Sequence, residues 1–179
     1  MSGYRIRPAE PPDVPEIVAM VAELAEYERA RHEVELTEGS LREALFAPHP
    51  AVFAHVAADG DDRPVGIALW FLNFSTWTGR HGIYLEDLYV RPAHRGAGLG
   101  RRLLVELARI CVGHGYLRLE WSVLDWNEPA LAFYRSLGAA GMDEWTGYRL
   151  AGPELRALGA TAELAGVPMP DMPGAGTPH

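Results

Sequence analysis

The feature that most constrains this chain is a glycine-rich loop, with glycines at 96, 98 and 100, between a predicted strand and a predicted helix. The strand is expected over residues 82–90, which are mostly apolar or aromatic. After the loop, one helical face carries the apolar residues Leu103, Leu104, Leu107, Ile110 and Cys111. Glycines let backbone N–H groups come close to a bound group, and a helix N-terminus attracts negative charge. The loop therefore predicts a site for a phosphate-bearing ligand.

The spacing of the loop excludes two common phosphate motifs. A dinucleotide fingerprint needs G-x-G-x-x-G, and a Walker loop needs Gly-Lys followed by Ser or Thr. Neither is present in the segment from Arg95 to Gly100. What remains is the pattern Arg-x-x-Gly-x-Gly, with Arg95, Gly98 and Gly100 at its defined positions. The alternative interpretation is a glycine-rich turn between a strand and a helix, without a ligand.

Composition narrows the class of protein. A length of 179 residues fits one domain with a sizeable core, and no apolar run is long enough to span a membrane. A net charge of −8 argues against nonspecific nucleic-acid binding and favours cationic small molecules. The single cysteine, Cys111, excludes an intramolecular disulfide, fits a reducing cytoplasm and is expected in the core. The seven histidines show no metal-ligand spacing, so we predict no metal.

The pattern along the chain predicts an α/β domain. We expect helices over residues 12–31, 37–46 and 127–137, and a further helix that follows the loop segment 91–100 and ends at residues 113–115. Thr37 is expected to cap the second helix, and Asn127 or Asp125 the last one. Strands are expected over residues 4–7, 52–58, 65–74, 82–90, 117–123 and 148–150. A helical turn is expected just after Gly152. We place the domain at residues 1–157, followed by a flexible Pro/Gly-rich tail at 158–179.

The loop and its neighbours together resemble the GNAT superfamily of N-acetyltransferases. Arg95, Gly98 and Gly100 match its acetyl-CoA pyrophosphate loop, and residues 86–90 precede the loop as its central strand does. Downstream, Asn127 and Tyr134 stand where the family has an asparagine and a tyrosine. Asn127 also suits a helix cap, and Tyr134 also suits a core aromatic beside Phe133. The resemblance implies a mostly antiparallel twisted sheet with helices on both faces.

Within that superfamily the chain is most similar to the diamine (spermidine/spermine) and thialysine N-acetyltransferases. The matching segments are residues 84–87, 126–129, 133–134 and 147–150, together with 23–28 and 36–38. The resemblance covers about residues 4–157. It implies transfer of an acetyl group from acetyl-CoA directly to a primary amine of a small cation. It also implies a homodimer with no nucleic-acid or membrane partner.

The resemblance implies roles for particular residues. The backbone of Leu88, Tyr89 and Val90 would hold the pantetheine arm, and Asn127 would also face the cofactor. The pyrophosphate would lie on Arg95, Gly96, Ala97, Gly98, Leu99, Gly100 and Arg101. Tyr134 stands at the general-acid position. The amine would be bound by Tyr27, Glu28, Glu86, Glu120, Trp121 and Ser122.

Amine chemistry explains why a carboxylate is expected in the site. An alkyl amine has a pKa of about 10.4, so at neutral pH it is protonated and must lose a proton before attack. A carboxylate attracts the ammonium and accepts the proton, directly or through a water. Glu86 is the expected group, and Asp87 is the alternative, which strict strand alternation turns to the other face. A phenol such as Tyr134 would then protonate the departing thiolate.

The acceptor stays open at this point. Thr146 stands where the polyamine enzymes carry an acidic residue, with Asp143 and Glu144 nearby, and residues 29–33 are basic for a polyamine cleft. Trp77 and Trp145 are candidates for walls of the cleft. The alternatives are a protein lysine, a protein N-terminus or an aminoglycoside as acceptor. A noncatalytic acyl-CoA sensor is a further alternative.

Overall fold

The computed structural model describes residues 3–160 and 172, which form two compact units, one up to Ser122 and one from Val123. In the first unit the strands are β1 (Arg5–Pro8), β2 (Phe53–Ala58), β3 (Pro64–Ser75), β4 (Arg80–Val90) and β5 (Leu119–Trp121). Its helices are α1 (Val14–Tyr27), α2 (Glu38–Phe46) and α3 (Leu99–His114). The second unit holds α4 (Glu128–Ser136) and α5 (Gly152–Gly159). Most of the predicted tail, residues 161–171 and 173–179, lies outside the described residues.

One five-stranded sheet organises the first unit, in the order β1-β2-β3-β4-β5. The first four strands are antiparallel neighbours, and β5 pairs with β4 in parallel. The parallel pair needs a crossover connection, which α3 supplies. The predicted mostly antiparallel α/β architecture is therefore confirmed.

Helices cover both faces of this sheet, as predicted. Val14, Ile17 and Met20 of α1 pack with α2 against Val56 and the other residues of one sheet face. His55, the neighbour of Val56, points to the opposite face, where its Nε2 lies 4.0 Å from a carboxylate oxygen of α3. The face of α3 turned to the sheet buries Leu99, Leu103, Leu104, Leu107 and Cys111.

Local signals set most helix ends. The Thr37 hydroxyl accepts a hydrogen bond from the Ser40 N–H (3.1 Å), which caps α2 as predicted. Gly115 adopts a left-handed conformation (φ 68°) and ends α3. The expected extension of α1 to Arg31 is wrong: α1 ends at Tyr27, because Arg29 is left-handed (φ 62°) and turns the chain away.

Two strand predictions also need correction. The strand expected over residues 117–123 is limited to Leu119–Trp121, since β4 offers it partners only from Ile83 to Leu85. The strand expected at Tyr148–Leu150 is wrong: within the described part of the second unit no segment is a strand, and Tyr148 is 96% exposed. An extended segment without a neighbour has no ladder of hydrogen bonds to stabilise it. The turn predicted after Gly152 is confirmed as helix α5.

A buried ion pair between Arg7 and Asp13 links β1 to the start of α1. Both Arg7 Nη atoms donate to the Asp13 carboxylate, which also accepts the Glu10 N–H at 2.7 Å. Asp13 is only 5% exposed. Arg7 Nε also donates to Asp62 in the turn between β2 and β3, at 3.1 Å. Residues of β1, of the start of α1 and of the β2–β3 turn therefore meet at one guanidinium.

Candidate active site

The glycine loop has the conformation that its residues favour. Gly96 (φ 82°) and Gly98 (φ 73°) are both left-handed, which only glycine adopts without strain. A Cβ on either would meet nothing within 4 Å, so conformation, rather than a crowded neighbour, calls for glycine here. Gly98 is the N-cap of α3, whose first N–H groups have no acceptor within the helix and carry partial positive charge. The loop is thus suited to hold an anion.

Arg95 links this loop to β4 and α1. Its Nε donates to the Val90 carbonyl at 2.9 Å. Its guanidinium carbon lies 5.6 Å from the centre of the Tyr89 ring and 6.0 Å from that of Tyr27. In this conformation the Arg95 side chain contacts the end of the central strand, so the loop backbone is left to face a phosphate.

Arg91, immediately after β4, fixes the position of α1. Its Nη1 lies 2.7 Å from the Glu16 carboxylate and its Nη2 lies 3.0 Å from that of Glu23. Both acidic residues belong to α1. This pairing brings the C-terminal end of α1, with Tyr27, to the end of the central strand. Sequence reasoning missed Arg91, although Glu16 and Glu23 are seven residues apart and share a helical face.

A β-bulge in β4 changes which residues face the site. Leu69 pairs with Asp87 and Trp70 pairs with Leu85, so Glu86 is an extra residue on this strand. Leu69 belongs to the core beneath α1 and α2. Asp87 therefore faces α1, whereas Leu85 faces α3 with Trp70. The bulge interrupts the strict alternation that the sequence predicts, so Asp87 faces α1; which of Glu86 and Asp87 serves as the base stays a prediction.

The carboxylates of Glu28, Glu86 and Asp87 lie close enough in the first unit to interact electrostatically. Burial, and to a smaller extent the negative charges of Glu86 and Glu28, raise the pKa of Asp87 to about 6. Burial also raises the pKa of Glu28. Glu86 itself is exposed. The site thus combines a solvent-facing carboxylate with a buried one whose pKa lies close to neutral pH.

The predicted residues of β5 lie beside Tyr84 and Leu85 of β4. Glu120 pairs with Tyr84 and Trp121 pairs with Leu85. The hydroxyls of Tyr84 and Ser122 are 2.7 Å apart. The Glu120 carboxylate accepts a hydrogen bond from the Asn73 amide and lies 3.0 Å from Arg118 Nε. Glu120 is thus a partnered carboxylate, unlike the exposed Glu86.

Asn73 and Arg118 were missed by sequence reasoning. They approach each other over Gly82, where a Cβ would lie 2.6 Å from Asn73 Oδ1 and 2.6 Å from Arg118 Cγ. A glycine inside an otherwise apolar strand often marks a close approach of this kind. Gly82 was therefore the available signal.

The second unit carries the two remaining predicted residues. Asn127 caps α4, and its side-chain oxygen accepts the Ala130 N–H at 3.4 Å. Tyr134 lies in α4 with its ring centre 5.3 Å from that of Phe133. Thr146 lies in the irregular segment between α4 and α5 and is exposed.

Residues 3–160 and 172 contain neither a cluster of metal-binding side chains nor a membrane-spanning helix. No group of three or more His, Cys, Asp or Glu side chains in this part of the chain could hold a metal ion. No helix there combines the length and the apolar composition needed to cross a membrane.

Comparison with known proteins finds an acetyltransferase family and relatives named as N-acetyltransferases. Residues 17–139 match the model of the acetyltransferase (GNAT) family. The chain is 37% identical over 168 residues to a thialysine N-epsilon-acetyltransferase of Mus musculus, covering 88% of this chain and 98% of that protein. It is 31% identical to an L-ornithine N5-acetyltransferase of Arabidopsis thaliana, covering 86% of this chain and 87% of that protein.

A solved structure shares the fold. An integron cassette protein from the mobile metagenome of V. cholerae superposes with a TM-score of 0.74 and 28% sequence identity. The match covers 89% of this chain and 99% of that one.

Proposed function

The chain belongs to the GNAT acetyltransferase family, and from this premise we propose that it moves the acetyl group of acetyl-CoA directly to a primary amine of a small cationic acceptor. The observation that carries the proposal is the set of three carboxylates of Glu28, Glu86 and Asp87, of which the last two lie on β4, the strand that leads into the glycine loop. Relatives acting on thialysine and ornithine support an amine acceptor. The roles of the individual residues named below belong to this proposal.

The glycine loop fits the acetyl-CoA that the family uses. Gly96 and Gly98 leave open space where side chains would stand, and the start of α3 supplies N–H groups and positive charge for a pyrophosphate. Leu88 to Val90 would hold the pantetheine arm, Arg95 to Arg101 the pyrophosphate, and Asn127 would also contact the cofactor. When bound, acetyl-CoA supplies an activated acetyl thioester.

The carboxylates have two tasks in this proposal. Glu28 and Glu86 attract the ammonium, together with Tyr27, and hold it beside β4. Asp87, with a pKa of about 6, is ionised at neutral pH yet basic enough to take a proton from the bound amine through a water. The sequence predicts Glu86 as the base. Because Glu86 is exposed and Asp87 is buried with a pKa of about 6, we propose instead that Glu86 binds the cation and Asp87 accepts the proton.

Four further residues have roles in this proposal. Tyr134 is proposed as the donor that protonates the sulfur of coenzyme A as it leaves, since a phenol can donate to a developing thiolate. Glu120, Trp121 and Ser122 are proposed to line the acceptor site along β5. We further propose a homodimer and, from the single buried Cys111, a reducing compartment such as the cytoplasm.

The first experiment measures release of free coenzyme A thiol from acetyl-CoA across a panel of acceptors. The panel holds lysine, thialysine, ornithine, putrescine, cadaverine, spermidine, an aminoglycoside and a lysine peptide. Turnover with small amines alone is the expected result. Turnover only with the peptide or the aminoglycoside would overturn the acceptor class, and cofactor binding without any turnover would indicate a sensor.

A further inference from the structure

Tyr4, the residue before β1, contacts residues on both sides of the glycine loop. Its hydroxyl lies 2.9 Å from Nδ1 of His94, which ends the short helical turn Pro92–His94 before the loop. Its carbonyl oxygen accepts a hydrogen bond of 2.9 Å from Nη2 of Arg102, whose own N–H closes the first turn of α3 after the loop. A single residue of the N-terminal segment therefore links the two ends of the loop.

The contact between Tyr4 and His94 consists of more than one hydrogen bond. The two rings meet edge to face, with their centres 5.8 Å apart and an angle of 83° between their planes. Both side chains are half-buried. Edge-to-face packing fixes the direction of each ring, so the Tyr4 hydroxyl is kept within reach of His94 Nδ1.

The sheet fixes the position of Tyr4 itself. The next residue along the chain, Arg5, is the first residue of β1 and pairs with Ala58 of β2. Arg7 of the same strand donates hydrogen bonds to the buried Asp13 carboxylate and to Asp62. Because β1 is held along its length in this way, Tyr4 is a fixed point from which the glycine loop can be positioned.

The loop has little apolar packing of its own. Of the eight residues 91–98, which connect β4 to α3, six are exposed. The two half-buried residues are Arg91, which is paired with α1, and His94, which contacts Tyr4. A segment that buries so little apolar surface opens easily unless polar links hold it. The link to Tyr4 is therefore expected to matter for the conformation of the loop.

We propose that Tyr4 is a positioning residue for the cofactor, because it holds the glycine loop in the conformation that receives the pyrophosphate of acetyl-CoA. The inference rests on the proposed function, which assigns this loop to the cofactor. A loop that already has its bound conformation loses less conformational entropy when the ligand binds, so it binds the ligand more tightly. Tyr4 acts through His94 and Arg102 and takes no part in the transfer of the acetyl group.

This role predicts a selective kinetic effect. A less ordered loop weakens cofactor binding but leaves the carboxylates of β4 and the bound thioester in place. KM for acetyl-CoA should therefore rise, whereas kcat at saturating acetyl-CoA and KM for the amine should stay the same. A general loss of fold would instead lower the amount of active enzyme, so the apparent kcat would fall.

Tyr4→Phe tests the hydroxyl, since it keeps the ring and the backbone carbonyl. The dissociation constant of coenzyme A, measured by calorimetry, and KM for acetyl-CoA should both rise by about 2-fold to 10-fold, the range for one hydrogen bond. The kinetic assay uses the amine of the panel with the highest turnover. Tyr116→Phe is the matched control, because Tyr116 also contacts a histidine (His114) but follows the C-terminal end of α3. It should change neither value.

A double-mutant cycle assigns the effect to the contact with His94. His94→Leu removes Nδ1 and should weaken coenzyme A binding about as much as Tyr4→Phe does. The double variant should bind coenzyme A no more weakly than either single variant, because the same contact is lost in all three. His94→Asn supplies an amide near the place of Nδ1 and should retain most of the affinity.

Hydrogen–deuterium exchange gives a readout that does not depend on turnover. If the loop and Tyr4 are coupled, coenzyme A bound at the loop should also stabilise the segment around Tyr4, since coupling between two sites is reciprocal. Saturating coenzyme A should slow exchange in peptides that cover residues 3–8 of the wild-type protein. The slowing should be smaller in Tyr4→Phe and unchanged in Tyr116→Phe.

The outcomes separate this inference from the proposed function. Unchanged coenzyme A affinity in Tyr4→Phe, additive losses in the double variant, or a lower kcat without a change in KM for acetyl-CoA would each overturn the positioning role and leave the acetyltransferase intact. A wild-type protein that binds no coenzyme A would overturn the proposed function itself.

Discussion

The surroundings of Asp87 raise the pKa of its carboxyl group above the usual value. Burial and the charges of Glu86 and Glu28 raise its pKa from 3.8 to about 6. At roughly 1.4 kcal/mol per pKa unit, ionised Asp87 costs the folded state about 3 kcal/mol. Because its folded pKa is the higher one, the stability that it contributes is present below pH 4 and is lost as the pH rises through 6.

The free-energy cost of ionising Asp87 in the folded state predicts the effect of replacing this residue. Asp87→Asn should increase the free energy of unfolding at pH 8 by up to about 3 kcal/mol, with a difference that shrinks to zero below pH 4. Urea unfolding at several pH values measures it. The control is Asp125→Asn, an exposed position, with a change below about 0.5 kcal/mol at every pH. A pH-independent gain for Asp87→Asn would contradict the assignment of the titration to this carboxyl.

The pH dependence of kcat/KM should follow the titration of Asp87. If Asp87 takes the proton, kcat/KM of the wild-type protein should rise with pH through about 6. Asp87→Asn should lower kcat by about 100-fold or more, within the usual range for a lost general base. Glu86→Gln should instead act mainly on KM for the amine. Reversal of these two patterns would return the base to Glu86.

Tyr134 provides an independent residue-scale prediction. Tyr134→Phe removes only the phenol hydroxyl from α4, so coenzyme A should bind with nearly unchanged affinity. Turnover should fall by about 10-fold to 1,000-fold, since protonation of the leaving thiolate is lost. Rapid-mixing kinetics with calorimetry of coenzyme A binding separate the two effects. Unchanged turnover would remove Tyr134 from the mechanism.

The sequence alone is enough to predict the residues whose role depends only on residue type and on spacing along the chain. The caps Thr37 and Asn127 and the left-handed Gly98 are examples, because each follows from local backbone geometry. Asp87 could not be predicted in the same way. Its direction depends on a bulge, and its pKa depends on groups contributed by another element.

At the scale of elements, the start of α3 depends on the glycine before it. Gly98→Ala places a side chain at φ 73°, which costs about 1–2 kcal/mol, or shifts the loop to escape that strain. Either response should weaken coenzyme A binding, measured by calorimetry, because the N–H groups lose their common direction. Gly39→Ala, inside α2 with only an ordinary contact to Thr37, is the control and should bind coenzyme A normally.

Elements were predictable where the pattern was periodic or strongly capped. α2, α3 and the strands β2 to β4 lie close to their predicted ranges. The predictions failed where strand pairing determines whether a segment is a strand and how long it is. β5 is only as long as the segment of β4 with which it pairs. Residues 148–150 are not a strand in the described part of the chain. No single-sequence pattern carries that information.

At the scale of the first unit as a whole, Arg7 connects β1, the start of α1 and the β2–β3 turn. Arg7→Met would leave the buried Asp13 carboxylate without its cation, which should lower the free energy of unfolding by about 3–5 kcal/mol. Arg5→Met is the matched control, because the Arg5–Asp62 pair is exposed and should contribute less than about 1 kcal/mol. Thermal unfolding of both variants compares them, and equal losses would contradict the importance of burial.

The bulge at Glu86 has a consequence for how this gene can vary. Replacing Glu86 by another residue alters one exposed side chain, whereas deleting a single codon there would restore strict alternation in β4. Asp87 and Leu85 would then be direct neighbours and would keep the opposite faces that they occupy now, still paired with Leu69 and Trp70. A one-residue deletion at this position should therefore be tolerated far better than one elsewhere in β4, where every residue on one side of the deletion would exchange the buried face for the exposed one.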